Sequence, residues 1–363
     1  MGLLDYYKQF EDIDENELNE QRRERRRREK ETALQQIPEL DLSGTEWPDF
    51  PNAEVMNASI YAARGRVNGY PDRHAERVRS ALAERLDVEP ERIVLGNGAA
   101  ELLQAAAMAL LSAGTELAMP WPSYPLYPLM ATRAGARPVP ADGFGGLASA
   151  IGERTRAVAI CNPNDPTGEY LPSSALATLL GNLPEGVHVL LDEALVHFQD
   201  AEELNACLRL TAEHENLTVF RTFSKIYGLS GIRAGYAVGG STGLLDAIAP
   251  VLGVNVLTQA AVSQALKIGG PEVERRRGSV IRERGRLLAA LRELPLDVTP
   301  SQANFVWMAA PGMSGLELAN RLRARSVIVA PGGPLGADDH VRATVRHSAG
   351  TDRLVEALSG VLA

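Results

Sequence analysis

Short apolar runs alternate along the middle of the chain with segments of helical periodicity. The runs Ala157–Ile160, Val187–Leu191 and Leu217–Phe220 have the length of strands and are almost continuously apolar. Such runs are typical of parallel strands that are covered on both faces. Segments such as His74–Leu86 and Leu102–Leu111 place apolar residues three and four positions apart, which predicts helices. The pattern therefore predicts an α/β fold with a mainly parallel sheet between layers of helices.

The pattern changes in the last third of the chain, where a long charged helix is predicted from Pro271 to about Leu294. Three further strands are predicted beyond it, at Asn304–Met308, Val327–Val329 and Val341–Val345. We therefore expect a large domain over residues 69–270, and a linking helix with a small α+β domain over residues 271–363. Residues 39–68 form a turn-rich connecting segment, which is expected to belong with the small domain.

Residues 1–38 differ from the rest of the chain in their charge. Six apolar residues form a short face at the start: Leu3, Leu4, Tyr6, Tyr7, Phe10 and Ile13. From Glu11 to Glu31 almost every residue is charged, and arginine dominates from Arg22 to Arg28. Acidic residues interleave with this run, which favours a solvated helical extension over a basic arm that binds nucleic acid. The apolar face is expected to contact a partner subunit.

Composition argues against several classes of protein. A chain of 363 residues with 45% apolar residues can bury a large core in two domains. The net charge of −9 argues against general nucleic-acid binding. The two cysteines, Cys161 and Cys207, form neither a disulfide framework nor a zinc set, so we predict no metal site and a cytoplasmic setting. No signal peptide is recognisable, and no apolar run approaches the roughly 20 residues that span a bilayer.

A candidate catalytic lysine follows the predicted strand Leu217–Phe220. Lys225 lies in a loop of small residues, beside Ser224 and ahead of three glycines at positions 228, 231 and 235. A lysine that is partly removed from water loses its proton more easily and becomes a nucleophilic amine. Ser224 and Arg233 carry groups that bind phosphate. The alternative is a glycine-rich turn in which the lysine has no chemical role.

Polar clusters follow three other predicted strands. The turn Gly96–Glu101 leads into a helix, whose first amides and dipole make a phosphate site. The segment Cys161–Gly168 and the pair Asp192–Glu193 follow buried strands. Ligands in open α/β sheets bind beyond the carboxyl ends of strands. We therefore expect Asp165, Asp192 and Lys225 to lie together at one edge of the sheet.

These motifs, taken in their order, resemble the fold type I pyridoxal-phosphate-dependent aminotransferases of class I/II, in the histidinol-phosphate aminotransferase-like branch. The motifs are a glycine turn, the aromatic turn Pro122–Tyr127, Pro166-Thr-Gly168, Asp192-Glu-Ala194, Ser224-Lys225 with Arg233, and a late Arg342 on a strand. The resemblance covers about residues 39–363. It implies a mainly parallel seven-stranded sheet sandwiched by helices, a smaller α+β C-terminal domain, pyridoxal 5'-phosphate as cofactor, and a homodimer with shared active sites.

The resemblance also implies roles for residues that contact the cofactor ring. Lys225 would form a Schiff base with the cofactor and then exchange protons with the substrate. Asp192 would pair with the pyridinium nitrogen and keep it protonated. Tyr124 would stack on the ring. From the residues alone, Asp192 could instead cap a helix and Tyr124 could be a core aromatic residue.

Further roles concern anionic groups. The resemblance assigns the cofactor phosphate to the amides of Ala99 and Ala100, to Ser224 and Arg233, and to Tyr70 from the partner subunit. Arg342 would bind a substrate carboxylate, or another anion, through two parallel hydrogen bonds. The alternative for Arg342 is a solvated surface arginine, which its position on a strand disfavours.

Five positions depart from the pattern of the family. Asp165 replaces the usual Asn before Pro-Thr-Gly, and Leu195 replaces a Tyr, although both family residues contact the phenolic oxygen of the cofactor. Ala330 stands where a second arginine commonly binds a substrate phosphate, and Ala100 stands where the phosphate turn often has Asp. Trp47 replaces an Asn and is predicted to form an apolar wall for the substrate.

We therefore expect an aminotransferase that moves an amino group between an amino acid, or an amine like histidinol phosphate, and a 2-oxo acid such as 2-oxoglutarate. A pyridoxal-phosphate decarboxylase of threonine-phosphate type is the alternative, and a cofactor-binding regulator is a third possibility. His197 and Cys161 invite catalytic roles, but a lone buried histidine and an isolated cysteine are more typical of scaffold.

Overall fold

The computed structural model describes residues 20, 22–25 and 38–362. Glu20 and residues 22–25 are helical and exposed, and the remainder of the predicted charged helix, with the apolar face at the start, lies outside the described residues. Contacts divide the chain into two units, residues 1–40 and 41–363. No helix in the described part has the length and apolar character that crossing a membrane requires.

A sheet of seven strands forms the centre of the second unit. After a short β1 (Leu40–Asp41), these strands are β2 (Ile93–Gly96), β3 (Glu116–Trp121), β4 (Arg137–Asp142), β5 (Thr155–Cys161), β6 (His188–Asp192), β7 (Leu217–Thr222) and β8 (Gly235–Gly239). Their order is β2-β8-β7-β6-β5-β3-β4. Strands β3 to β7 pair in parallel, and β8 runs antiparallel to both β7 and β2. The predicted mainly parallel seven-stranded sheet is confirmed.

Helices cover both faces of this sheet. They are α1 (Ala53–Arg66), α2 (Glu76–Leu86), α3 (Ala99–Leu110), α4 (Leu126–Arg133), α5 (Ser173–Gly181), α6 (Ala206–Arg209), α7 (Thr242–Ile248) and α8 (Val256–Ile268). On one face, α3, α4 and α7 pack against residues such as Leu190 and Phe220. On the other, α2, α5 and α8 pack against their strand neighbours Val189 and Val219. Because successive strand side chains point to opposite faces, a strand between two helical layers is apolar at most of its positions.

A second, antiparallel sheet follows α9 (Gly270–Leu291). Its strands are β9 (Asp297–Thr299), β10 (Phe305–Ala309), β12 (Ala330–Pro331) and β13 (His340–Thr344), in the order β12-β13-β10-β9. With α10 (Gly315–Arg323) and α11 (Ser348–Leu362) they form the α+β part of the fold. The strand predicted at Val327–Val329 is shorter in the structure, where β11 (Val327–Ile328) ends before β12.

The connecting segment is divided between the two sheets. The Leu42 amide donates to the Ile328 carbonyl (2.8 Å), and the Thr344 amide donates to the Leu42 carbonyl (2.9 Å), so this part joins the second sheet. In contrast, α1 packs on α8, where the Ser59 hydroxyl donates to the Leu257 carbonyl (3.0 Å). The expectation that all of residues 39–68 belong with the small domain is therefore wrong for α1. The boundary between residues 270 and 271 stays a prediction.

Candidate active site

The carboxyl ends of β5, β6 and β7 lie in register at one edge of the large sheet, since Cys161 pairs with Asp192 and Asp192 with Phe220. A cavity of about 630 Å³ opens there. Nine residues predicted for the site line it: Ala99, Ala100, Tyr124, Asp165, Asp192, Ser224, Lys225, Arg233 and Arg342. The fold thus brings together side chains that are far apart in sequence.

Lys225 lies on the loop after β7, where it is partly buried. Its Nζ donates a hydrogen bond to Thr45 Oγ1. Burial lowers the pKa of the Lys225 amine, the nearby Asp165 carboxylate opposes that shift, and the Arg342 charge adds to it. A lowered pKa increases the fraction of the amine that is neutral and nucleophilic near neutral pH. The other lysine in the described part of the chain is Lys267, which is exposed on α8.

Asp192 ends β6 as a buried carboxylate. Its Oδ2 accepts a hydrogen bond from the Tyr127 hydroxyl (3.1 Å), and its Oδ1 accepts one from the Ala194 amide (3.0 Å). Burial raises the pKa of Asp192 to about 6, although both hydrogen bonds and the charge of Lys225 oppose the shift. The bond from Ala194 is the local turn contact that the capping interpretation predicts, yet the carboxylate also lines the cavity.

An anion site is built at the start of α3. Gly98, at φ 98°, precedes the helix and supplies no side-chain cap, and Ala99 and Ala100 line the cavity. Arg233 Nη1 donates to the Ser230 carbonyl (2.9 Å) and to Ser224 Oγ (3.4 Å). A Cβ at Gly98 would overlap the Arg233 guanidinium. The absence of that Cβ brings a cation beside a helix N-terminus, the arrangement that binds phosphate.

Arg342 occupies a different kind of environment, because one of its partners is a buried carboxylate. Its Nη1 donates to Asp165 Oδ1, and its Nη2 donates to the Ser43 carbonyl (3.0 Å). The guanidinium lies 5.3 Å from the centre of the Phe305 ring. Its Nε is buried and has no hydrogen-bond partner among the described residues. Arg342 is 8% exposed, so the alternative of a solvated surface arginine is wrong.

Comparison with known proteins identifies the family. The family model described as aminotransferase class I and II matches residues 38–358. The chain belongs to this family. An aromatic amino acid aminotransferase of Corynebacterium efficiens is 36% identical over 332 residues, which is 89% of this aminotransferase and 93% of the relative. Histidinol-phosphate aminotransferase 1 of Nitrosococcus oceani is 36% identical over 331 residues, 89% of each chain.

A solved structure supports the same conclusion. The histidinol-phosphate aminotransferase from Sinorhizobium meliloti, in complex with pyridoxal-5'-phosphate, matches with a TM-score of 0.78 at 26% identity, over 92% of this aminotransferase and 93% of that chain. The predicted fold type, the cofactor pyridoxal 5'-phosphate and the aminotransferase activity on amino acids and 2-oxo acids are confirmed. The comparisons favour this activity over the decarboxylase alternative.

The side chains of the cavity fit this cofactor. An amine, a buried carboxylate and an aromatic ring are present in Lys225, Asp192 and Tyr124. The cradle between Arg233 and the start of α3 suits a phosphate, and a Cβ at Gly235 would overlap the Ala99 amide nitrogen and close it. The donor set therefore matches a molecule with an aldehyde, a ring nitrogen and a phosphate.

Two predicted residues lie outside the cavity of this chain. Trp47 does not line it; the indole stacks with the Arg276 guanidinium, 4.7 Å from the ring centre, and donates to Asp49 Oδ2 (3.2 Å). The ring packs towards α9 in this chain, and a role of Trp47 as a substrate wall stays a prediction. Tyr70 is 86% exposed, and its role in a partner subunit stays a prediction.

His197 and Cys161 are both buried. His197 packs edge-on against Tyr227, with ring centres 5.8 Å apart, and burial lowers its pKa to about 3. Cys161 Sγ contacts the Pro163 carbonyl (3.2 Å), and burial raises the pKa of its thiol well above the usual range. A neutral imidazole outside the cavity and a protonated thiol agree with the scaffold interpretation.

Three residues of the site were not predicted as such. Tyr127 lies three positions after Tyr124, and helical spacing was a signal that both face the same way. Thr45 and Ser43 contact Lys225 and Arg342 from the connecting segment. No local pattern marks them, because these contacts join residues 180 and 299 positions apart.

Proposed function

We propose that the substrate of this aminotransferase carries an aromatic or apolar side chain. Lys225 serves in the exchange of the amino group of that substrate. The observation that carries this proposal is the convergence of Lys225, Asp192 and the α3 anion site on one cavity. The same cavity has an apolar wall, formed by Leu103, Leu126, Leu129, Leu195 and Leu335. The names of the relatives, one aromatic amino acid and one histidinol-phosphate aminotransferase, agree with a ring-bearing substrate.

The residues would divide the work as follows. Ser224, Arg233 and the amides of Ala99 and Ala100 hold the cofactor phosphate, and Asp192 holds the proton at the ring nitrogen. Bound pyridoxal phosphate supplies an aldehyde that takes up the amine and a ring that delocalises negative charge. Lys225 Nζ, with its lowered pKa, accepts the proton from the substrate α-carbon and then donates it to a different atom of the reacting molecule.

We further propose a homodimer in the cytoplasm. Several large apolar side chains are exposed on the connecting segment, on α1 and before α8: Phe50, Ile60, Tyr61, Val67, Tyr70, Val251 and Leu252. An apolar surface of this kind is typical of an interface, and Tyr70 belongs to it. Both cysteines are free and buried, as in a reducing compartment. Light scattering that gives the mass of one chain would contradict the dimer.

The test of the lysine is Lys225→Ala, with Lys267→Ala as the matched control. We expect Lys225→Ala to lower turnover at least about a thousandfold, because the positioned acid–base group is lost. The control should retain activity, and circular dichroism should show that both variants fold. The readout is the visible absorbance of the holoenzyme on adding L-phenylalanine and then 2-oxoglutarate. Full activity in Lys225→Ala, or release of carbon dioxide without amine exchange, would contradict the proposed function.

A further inference from the structure

The connecting segment is held to the second sheet over residues 43–46. Each of the four backbone carbonyls accepts a hydrogen bond from a side chain on β13, just after β13 or just before β10. The bonds run from Arg342 Nη2 to Ser43 (3.0 Å), Thr344 Oγ1 to Gly44 (2.6 Å), Asn304 Nδ2 to Thr45 (3.0 Å) and Arg346 Nη1 to Glu46 (2.9 Å). Because four successive residues are held, the backbone of this segment has a defined position on the second sheet.

The side chain of Thr45 contacts the large sheet's loop instead. Thr45 is 5% exposed, and its Oγ1 accepts a hydrogen bond from Lys225 Nζ. Among the described residues this is the one hydrogen bond of the Lys225 amine. Thr45 and Lys225 both line the cavity. A single residue thus joins the second sheet, through its carbonyl, to the amine of the large sheet's loop, through its hydroxyl.

Such a bond can orient the amine without blocking its chemistry. A neutral amine has two N–H groups and one lone pair, so donating one N–H to Thr45 leaves the lone pair free to accept a proton. The lysine stem has four flexible carbons, and an amine without a partner would sample several rotamers. A displacement of about 1 Å between reacting groups can lower a rate by about a hundredfold.

We propose that Thr45 is a positioning residue for Lys225. Its hydroxyl holds the free amine at the place from which the amine takes a proton from the substrate, and Asn304 fixes that hydroxyl by holding the Thr45 carbonyl. This inference rests on the proposed function, in which Lys225 carries the proton.

Removal of the hydroxyl has a predictable effect on the amine. Thr45→Val replaces the hydroxyl by a methyl group of similar size. An ammonium is a stronger hydrogen-bond donor than a neutral amine, so losing the acceptor favours the neutral form and should lower the pKa of Lys225. The charged and titratable groups that share the cavity with the amine are Glu46, Tyr124, Cys161, Asp165, Asp192, Arg233 and Arg342. The substitution leaves all of them in place.

Competitive labelling of the cofactor-free protein tests this effect without turnover. Trace acetylation with acetic anhydride over a pH series, followed by peptide mass spectrometry, gives the pH at which Lys225 reacts at half its maximal rate. Lys267 in the same sample is the reference. The midpoint of Lys225 should fall by at least about half a pH unit in Thr45→Val, the shift expected for one hydrogen bond. Thr178→Val, the same change at an exposed position of α5, should leave the midpoint unchanged.

The second readout is the absorbance change of the holoenzyme on adding L-phenylalanine. Its rate constant at saturation should fall at least about tenfold in Thr45→Val, with the half-saturating concentration changed less than about threefold, because alignment and not binding is lost. Thr45→Ser, which keeps the hydroxyl, should restore the rate constant to within about threefold of the natural value.

Three outcomes would overturn the inference: an unchanged midpoint in Thr45→Val, an unchanged rate constant in Thr45→Val, or an equal loss of rate in Thr45→Ser. Thr45→Ala, which also lacks the hydroxyl, is the second variant if Thr45→Val folds poorly. If the natural holoenzyme exchanges no amine, the proposed function fails, and the labelling midpoints still decide whether Thr45 holds the amine.

Discussion

Two arginines of one cavity, Arg233 and Arg342, lie in contrasting environments. Arg233 is exposed and donates to two neutral oxygens, Ser224 Oγ and the Ser230 carbonyl. Arg342 is buried and paired with Asp165. The first guanidinium keeps its charge available beside a helix N-terminus, whereas the charge of the second is balanced within the protein.

The contrast indicates which ligand each end of the cavity accepts. An unpaired cation at a helix start gains a full charge interaction when a phosphate arrives. A cation whose charge a protein carboxylate already balances gains less from a second anion. The cavity thus has one arginine whose charge is available to a ligand and one whose charge Asp165 already balances.

The largest effect that tests this contrast is on folding. Arg342→Ala should lower the unfolding free energy by about 3–5 kcal/mol, because it leaves the Asp165 carboxylate buried without its partner. Urea denaturation of the cofactor-free protein measures the change. The double variant Arg342→Ala with Asp165→Asn should recover at least half of the loss. A single variant as stable as the natural protein would show that Arg342 is not engaged in this way.

The next largest effect concerns Asp192, a buried acid whose hydrogen-bond partners are neutral. Burial raises the pKa of Asp192 from 3.8 to about 6, so the folded chain holds a proton that the unfolded chain releases. Asp192 therefore stabilises the cofactor-free fold less as pH rises from about 4 through 6, by on the order of 3 kcal/mol. Relative to the natural protein, Asp192→Asn should gain stability over that range.

Thermal or urea denaturation at a series of pH values gives the difference between the two proteins. Asp246→Asn makes the same substitution at an exposed position of α7 and is the control. A difference for Asp192→Asn that stays constant with pH would contradict the raised pKa of Asp192.

The smallest effect concerns the exposed arginine. Arg233→Ala should change the unfolding free energy of the cofactor-free protein by no more than about 0.5 kcal/mol, as for most surface substitutions. It should weaken pyridoxal-phosphate binding by about 1.5–3 kcal/mol, since a charge-assisted hydrogen bond is lost. Fluorescence titration gives the Kd, and Arg233→Lys, which keeps the charge, should bind with an intermediate value. If Arg233→Ala and Arg342→Ala lowered the unfolding free energy equally, the two arginines would not differ in their environments as described.

Much of the fold was predictable because the signals are local. A strand between two helical layers is apolar at most positions, as in residues 189–191 of β6 and 219–220 of β7, and this pattern is visible in the sequence. The antiparallel direction of β8 was not predictable, since parallel and antiparallel buried strands have the same composition. The position of α1 was missed for a similar reason: its apolar residues do not specify whether they pack on α8 or on the second sheet.

The residues of the site also differ in how far the sequence predicts their positions. Gly98, Asp192 and Lys225 end or follow strands of one sheet, so topology alone indicates that they lie together. The contact of Trp47 with Arg276 was not predictable, because the two residues are remote in sequence. The pairing of Asp165 with Arg342 joins residues 177 positions apart, and only the folded chain shows it.

The scarcity of lysine around Lys225 has a chemical consequence. The chain has 37 basic residues of the Lys and Arg types, but only four are lysine, at positions 8, 30, 225 and 267. Arginine keeps its proton at all ordinary pH values and so offers no competing nucleophilic amine. An aldehyde that meets this protein therefore finds few reaction partners on its surface. Reductive trapping with borohydride, followed by peptide mass spectrometry, becomes a nearly background-free report on a single side chain.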